Sequence, residues 1–342
     1  MPTEAQAAAA TGALLAAATT ATDPVEQAAL EAAAAGWAAF TGWYDTALVG
    51  IVATDAAAMS VSAQQAVFAV YTEYVAQLTA LLRDQARVTV PAVALTPGPA
   101  ARESGDATGV RGVDPVQVHA RPAGTFREAY ALTGDYEIAV QRAVDRTRQL
   151  IQTDIMLAAR KSQNDTMAGL GVQRYRRVLR PELSKSGPCG LCVVAADRIY
   201  RIADLMPIHD RCKCATVPLA AGQDIGDRLN REDLNRIYAA AGGNRARDLK
   251  NMRVQINEHG ELGPVLTVRG QRFTGPDDLG ASRDTRPVVT PAQLQQRLGK
   301  LNDILDGFKA ADRAASPVDL DAAIDYQIRA IDRTRQQLDR AA

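Results

Sequence analysis

Apolar positions in the first 90 residues recur at helical spacing. Val25, Ala28, Ala29, Leu30, Ala32 and Ala33 lead to Trp37, and Phe40, Trp43, Tyr44, Leu48, Ile51 and Val52 continue the stripe. Recurrence at i, i+3, i+4 and i+7 marks one face of an α-helix. Asp23 followed by Pro24 reads as an N-cap with proline at the first helical position, so a helix start is predicted there. A second helix is predicted from about 62 to 87, with Val67, Val70, Tyr71, Tyr74, Val75, Leu78, Leu81 and Leu82 on its buried face. From 89 to 125 the periodicity stops and proline and glycine punctuate the chain, which predicts a linker or an extended arm. Helix returns from about 125 to 167 on Tyr136, Ile138, Ala139, Ala143, Leu150, Ile151, Ile155 and Met156, and 164–171 ends it. Tyr175, Val178 and Leu179 then suit a short strand.

Beyond Pro218 the pattern is mixed. Residues 231–241 read as a short helix stopped by Gly242-Gly243. Val254 and Ile256, then Val265, Leu266, Val268 and Phe273, separated by Glu258-His259-Gly260, predict short extended pieces or a hairpin. Two helices close the chain. One starts at Thr290-Pro291. The other starts at Ser316-Pro317 and carries Leu320, Ile324, Ile328, Ile331 and Leu338, with Asp and Arg on its solvated face. The expected fold class is mainly α with a small α+β zinc-stapled central module. In order, the expected regions are a helical N-terminal docking region (1–90), a Pro/Gly-rich linker or arm (91–124), the central domain (125–220), mixed short strands and helix (221–289) and C-terminal helices (290–342).

Composition refines this picture. The 342 residues are 47% hydrophobic but only 5% aromatic, and alanine supplies much of the apolar content. Alanine buries little area per residue, which favours extended helical layers over a large core. Formal net charge is zero, so the chain as a whole is not patterned as a nucleic-acid binder. The alanine-rich run 5–21 follows Glu4 instead of a basic flank and matches a signal peptide poorly. No membrane span stands out. The expectation is folding in a reducing cytoplasm, where thiols meet metals more readily than each other.

All four cysteines fall in one run, Cys189-Gly-Leu-Cys192 to His209-Asp-Arg-Cys212-Lys-Cys214, together with one of the three histidines. Zinc takes four tetrahedral ligands from thiolate and imidazole. Two cysteines separated by two residues can reach one ion through a tight turn, which Gly187, Pro188 and Gly190 suit. Cys212 and Cys214 share one face of a straight strand. Four of the five donors Cys189, Cys192, His209, Cys212 and Cys214 therefore form a candidate zinc site. Two disulfides, a catalytic cysteine paired with His209, and unmetallated buried thiols are the competing readings. The clustering of all four thiols favours ligation over nucleophilic chemistry. The short insert lacks the residues for a core of its own, which a metal would replace. His119 and His259 read as surface residues.

A second signal lies upstream. From 139 to 180 there are nine basic and three acidic residues. Within this stretch Arg160, Lys161, Arg174, Arg176, Arg177 and Arg180 are candidate phosphate contacts, against the alternative of a solvated helix face with cation stacking at Tyr175.

Residues 174–218 resemble the Mu F-like minor head (phage head morphogenesis) proteins of tailed bacteriophages, in the actinobacteriophage branch. The resemblance is carried by Cys189-x-x-Cys192, Arg198-Ile-Tyr200, Pro207-Ile-His209-Asp-Arg-Cys212-Lys-Cys214 and Pro218, and it covers roughly a quarter of the chain. Ala196-Asp197 departs from the alanine-glycine expected there. The resemblance implies a non-enzymatic minor capsid protein, made in the host cytoplasm and located in the virion, in the capsid interior near the portal vertex. It would act in head assembly, DNA packaging or DNA delivery. Implied partners are the portal protein and the major capsid protein, with scaffold and packaged double-stranded DNA as further candidates and no membrane. Some relatives carry the label of capsid maturation protease, but no Ser-His-Asp or Ser-His-Glu set is discernible here. Others carry a toxin domain behind this module. A host-directed effector would need an active site after Pro218, and no nucleotide-binding or transferase motif stands out there.

Overall fold

A computed structural model describes residues 2–85, 88, 110–180, 192, 195–196, 198–202, 214–219, 224–231, 254–259, 263–268 and 290–341, the two segments between 254 and 268 by backbone alone. The described chain is mainly helical with a small antiparallel sheet. Its elements are α1 (Glu4–Ala38), α2 (Thr46–Leu82), α3 (Pro115–His119), α4 (Arg121–Thr133), α5 (Tyr136–Gly169), β1 (Arg174–Val178), β2 (Ile199–Arg201), β3 (Ala215–Pro218), β4 (Val254–His259), β5 (Gly263–Val268), α6 (Pro291–Ala310) and α7 (Leu320–Ala341). Residues 225–231 add two helical turns.

Several predicted boundaries move. α1 runs through Pro24, so Asp23 caps nothing. Proline removes one intrahelical hydrogen bond. Nearby threonines use the carbonyls of the preceding turns: Thr22 Oγ1 donates to Ala18 O at 3.0 Å and to Thr19 O at 3.1 Å. α2 begins at Thr46, where Asp45 Oδ1 accepts from the amides of Ala47 and Leu48. The helix expected from 125 to 167 is two, broken at Gly134. That residue takes a left-handed φ of 67° and donates its N–H to Tyr130 O. Residues 115–124, expected in the linker, are helical. The helix expected at Ser316-Pro317 begins instead at Leu320, with Asp319 Oδ1 accepting from Ala322 N. The hairpin expected near Glu258 forms as β4 and β5. The predicted helix over 231–241 lies, but for Arg231, outside the described residues.

The chain forms two compact units that do not follow consecutive blocks of sequence. One draws on Met1–Ala28, Val61–Asp114 and Gln152–Ser282, the other on Ala29–Ser60, Pro115–Ile151 and Arg283–Ala342. The core of the first joins small residues of α1 (Ala7, Ala8, Leu15, Ala18) to Tyr74, Val75, Leu78 and Leu82 of α2 and to Tyr175, Val178 and Val217 of the sheet. The core of the second is aromatic. Trp43 stacks on Phe126 at 4.0 Å and 4°, while Trp37, Phe40, Tyr130 and Phe308 pack around them. Leu48 and Ile51, expected in the buried stripe, are 45% and 61% exposed. Among the described residues α2 is long and apolar enough to cross a membrane by length and composition, and about 33% of its most apolar window is buried. No such span was expected, because its apolar positions read as one face of a core helix.

Candidate functional site

The run of cysteines and the basic stretch meet at the three-stranded sheet. β1 is central, antiparallel to β2 (Tyr175 opposite Tyr200) and to β3 (Val178 opposite Ala215). Both outer strands therefore begin at the end of the sheet where β1 finishes. Cys214 immediately precedes β3, and Cys192 lies on the segment leading into β2. Both cysteines are buried. Topology thus brings one cysteine from each half of the run to strands that enter the sheet from the same end. Cys189, His209 and Cys212 lie outside the described residues. Among the described residues no group of three or more His, Cys, Asp or Glu could hold a metal ion, so the small sheet is present and the zinc staple is not part of what these residues display.

The segment ahead of β2 is fixed to β1 by side chains. Arg176 Nη1 donates to Ala196 O at 3.2 Å, and Tyr200 Oη donates to Ala195 O at 3.0 Å. Asn230 Nδ2 donates to both Arg177 O and Ala196 O, while Asn230 Oδ1 accepts from Leu179 N at 2.9 Å. Arg176 forks onto Asp224, with Nη2 to Oδ2 at 2.6 Å and Nε to Oδ1 at 3.0 Å. A bidentate guanidinium–carboxylate pair fixes orientation as well as distance.

The guanidiniums of the basic stretch largely turn inward. Arg160, Arg176 and Arg177 are 5%, 7% and 1% exposed. Arg160 Nη2 donates to Cys214 Sγ at 3.2 Å and Arg177 Nη1 to the same sulfur at 3.5 Å. Arg177 also lies 5.5 Å from the centre of the Tyr200 ring and 6.0 Å from that of Tyr175, and those two rings stack at 5.4 Å. Burial counts against Arg160, Arg176 and Arg177 as phosphate contacts on the open surface, Arg160 bordering only the cleft described below. Arg174 is exposed. Lys161 pairs with Asp165 at 2.9 Å, and Arg180 donates to Thr19 Oγ1 at 3.2 Å; both are half-buried. His119, expected at the surface, is 1% exposed at the end of α3.

Sequence periodicity missed the polar face of α5. Thr153, Asp154, Arg160, Ser162, Gln163 and Thr166 are buried, and Asp154, Arg160, Ser162 and Gln163 reach across to neighbours in their own unit. Asp154 pairs with Arg111. Ser162 Oγ donates to Phe68 O at 2.7 Å. Gln163 Oε1 accepts from Thr216 N and Thr216 Oγ1. A run of mixed polarity gives no sign of which polar residues will be buried, because their partners are distant in sequence. Burial also raises the tyrosines of this region. Tyr175 is pushed up to about 12, with the Arg177 charge opposing. Tyr74, whose Oη donates to Thr216 O at 3.0 Å, is raised further for the same reason.

A cleft of about 740 Å³ opens on this cluster, lined by Tyr71, Met156, Arg160, Gln163, Arg180 and Cys214 among others. Cys214 is thus buried yet borders solvent-sized space. What the arrangement can do is hold a sulfur in an electropositive pocket at the base of a sheet whose other inputs are hydrogen-bonded in place.

No protein-family model, curated protein or solved structure matches this chain.

Proposed function

We propose that the chain is a minor capsid protein of a tailed bacteriophage, of the Mu F-like kind, acting at the inner capsid near the portal in head assembly, DNA packaging or DNA delivery. The observation that carries this reading is the Cys189–Cys192 and His209–Cys212–Cys214 spacing. It is supported by the placement of Cys192 and Cys214, both buried and both leading into strands at one end of one sheet.

Zinc fits the donor set. The described cysteines are buried and precede strands that enter the sheet from one end, and Cys214 receives two guanidinium donors, as suits a sulfur carrying negative charge. When bound, zinc would supply cross-linking of a segment too short to build its own core. Four of Cys189, Cys192, His209, Cys212 and Cys214 would hold it. Asn230, Arg176 and Tyr200 already fix the approach to β2. Contact with packaged DNA falls to Arg174, Lys161 and Arg180, and docking on portal and major capsid protein to the helical surfaces.

The test is the location and metal content of the protein. Purified particles of the phage carrying this gene should contain the chain inside the shell at the portal vertex, in few copies. Protein purified under reducing conditions should carry one zinc. Absence from particles overturns the capsid reading. Cleavage of the major capsid or scaffold protein on co-expression, lost in a folded His209→Ala variant, would replace it with the maturation-protease reading. Toxicity to host cells without particle incorporation would replace it with a delivered effector.

A further inference from the structure

We propose that one face of α7, with Arg127 of α4 beside it, is a phosphate-contacting surface that binds the backbone of double-stranded nucleic acid without reading its sequence. The face belongs to the second unit, whereas Arg174, Lys161 and Arg180 belong to the first. It does not rest on the capsid or zinc readings, and each fails separately.

In sequence the polar face of α7 mixes aspartate with arginine. Helical geometry sorts it into two strips. At 3.6 residues per turn, Tyr326, Arg329, Arg333 and Arg340 fall within a sector of roughly 60°. Asp321, Asp325, Asp332 and Asp339 fall in the neighbouring sector. Arg329, Arg333 and Arg340 are exposed. Two of the aspartates are engaged off the arginine strip: Asp321 pairs with Arg313 at 2.9 Å and Asp332 with Arg335 at 3.6 Å. Among the described residues none of Arg127, Arg329, Arg333 and Arg340 forms an ion pair.

Two tyrosines gather the cations. Arg127 lies 5.8 Å from the centre of the Tyr44 ring and Arg333 lies 5.4 Å from that of Tyr326. The two rings meet edge to face at 6.1 Å and 65°. Arg127 is also tethered through Nε, which donates to Trp43 O at 2.6 Å. Burial lowers the Arg127 guanidinium from its ordinary value, Tyr44 and Tyr326 oppose that shift, and the Arg329 charge adds to it. Like charges from α4 and α7 thus converge beside two rings with no carboxylate paired to them. A guanidinium resting against an aromatic ring keeps its in-plane donors for a forked acceptor such as phosphate. Along α7, Arg329 and Arg340 are about 16 Å apart, so the cations form a line and not a pocket. A duplex meets such a line with one phosphate charge per about 1.7 Å of its axis. An acidic peptide presents a comparable line only when it is itself folded. Contacts of this kind set position on the backbone and carry no base information.

The experiment uses the full chain and a fluorescent duplex DNA of about 30 base pairs and arbitrary sequence, with anisotropy read between about 50 and 200 mM salt. The variants are R329Q, R333Q, R340Q and the three combined. R335Q is the control, an exposed arginine of α7 outside the strip. Circular dichroism reports the fold. Wild type should bind the duplex with an affinity that falls steeply with salt. Each strip variant should bind about 8-fold more weakly at about 0.1 M salt and flatten the plot of log K against log salt by about 0.9. R335Q should keep the wild-type slope. Wild-type protein that does not bind the duplex at the lowest salt overturns the proposal, and so does a triple variant that binds as wild type does. If R335Q matches the strip variants, net charge alone is responsible and the face is wrong. Oligoglutamate bound as tightly as the duplex, through the same arginines, replaces nucleic acid with an acidic protein surface. If the triple variant does not fold, the single variants decide. Absence of the chain from particles with duplex binding intact overturns the capsid reading alone.

Discussion

Asn230 does more for the small sheet than any residue picked out by pattern. Its side chain satisfies Arg177 O, Ala196 O and Leu179 N at once and is 1% exposed. Asn230→Ala leaves these buried backbone groups without it and should cost on the order of 2–4 kcal/mol, read as a lower midpoint in urea with little change of slope. Asn230→Asp should cost no less, since a carboxylate cannot donate to two carbonyls. Tyr175 gives a pH signature. Its rise from 10 to about 12 corresponds to roughly 3 kcal/mol of preference for the neutral phenol in the fold. A raised folded value means this contribution is complete below pH 10 and is lost as pH climbs towards 12. Wild-type stability in urea should fall across that window, and the fall should be shallower in Tyr175→Phe. Equal slopes in the two proteins would show that Tyr175 ionises without cost. The sequence pointed to Tyr175 as a strand residue with cation stacking, which Arg177 supplies, but gave no sign of Asn230. An asparagine on a short helical segment becomes critical only through partners tens of residues away.

At the scale of elements, signals written locally were read well where the local chemistry suffices. Thr290-Pro291-x-Gln293 forms a full capping box, with Gln293 N donating to Thr290 Oγ1 and Thr290 N to Gln293 Oε1. Thr290→Ala should destabilise α6 by about 1 kcal/mol, measurable as earlier thermal loss of helicity. Asp23-Pro24 carries a similar signal and is overridden, because α1 packs on both sides of the proline and a lost hydrogen bond costs less than ending the helix. Pro24→Ala should therefore raise stability, by about 1–3 kcal/mol; a lower melting temperature would mean that the helix depends on a proline-set bend. The strands β1, β4 and β5 were legible from short clusters of β-branched, aromatic and aliphatic residues. The hairpin of β4 and β5 was among the expectations, but the pairing of β1 with β2 and β3 was not, since register depends on both partners.

At the scale of the whole molecule, the two units offer separate probes. Both tryptophans, Trp37 and Trp43, lie in the aromatic core of the second unit, while the cysteines lie in the stretch that belongs to the first. On the zinc reading proposed above, a chelator at room temperature should change the circular dichroism of the sheet region and leave tryptophan emission unmoved. A red shift of that emission would show that the proposed staple supports both cores. Cutting Trp43 back to alanine should act the other way. It removes the ring stacked on Phe126 and should cost about 3–5 kcal/mol while leaving the sheet of the first unit folded.

The sequence by itself determined that the chain is mainly helical, that a strand follows Gln173, that a capped helix starts at Thr290 and that all four cysteines are confined to one run. These follow from periodicity, capping chemistry and spacing, all of which act over a few residues. Only the tertiary structure decided that α1 continues through Pro24, that distant segments share each unit, and that Arg160, Arg176 and Arg177 point inward. Those outcomes depend on desolvation and on partners supplied by other segments. A buried arginine and an exposed one have the same letter, and what separates them is the sulfur of Cys214 and the carboxylate of Asp224.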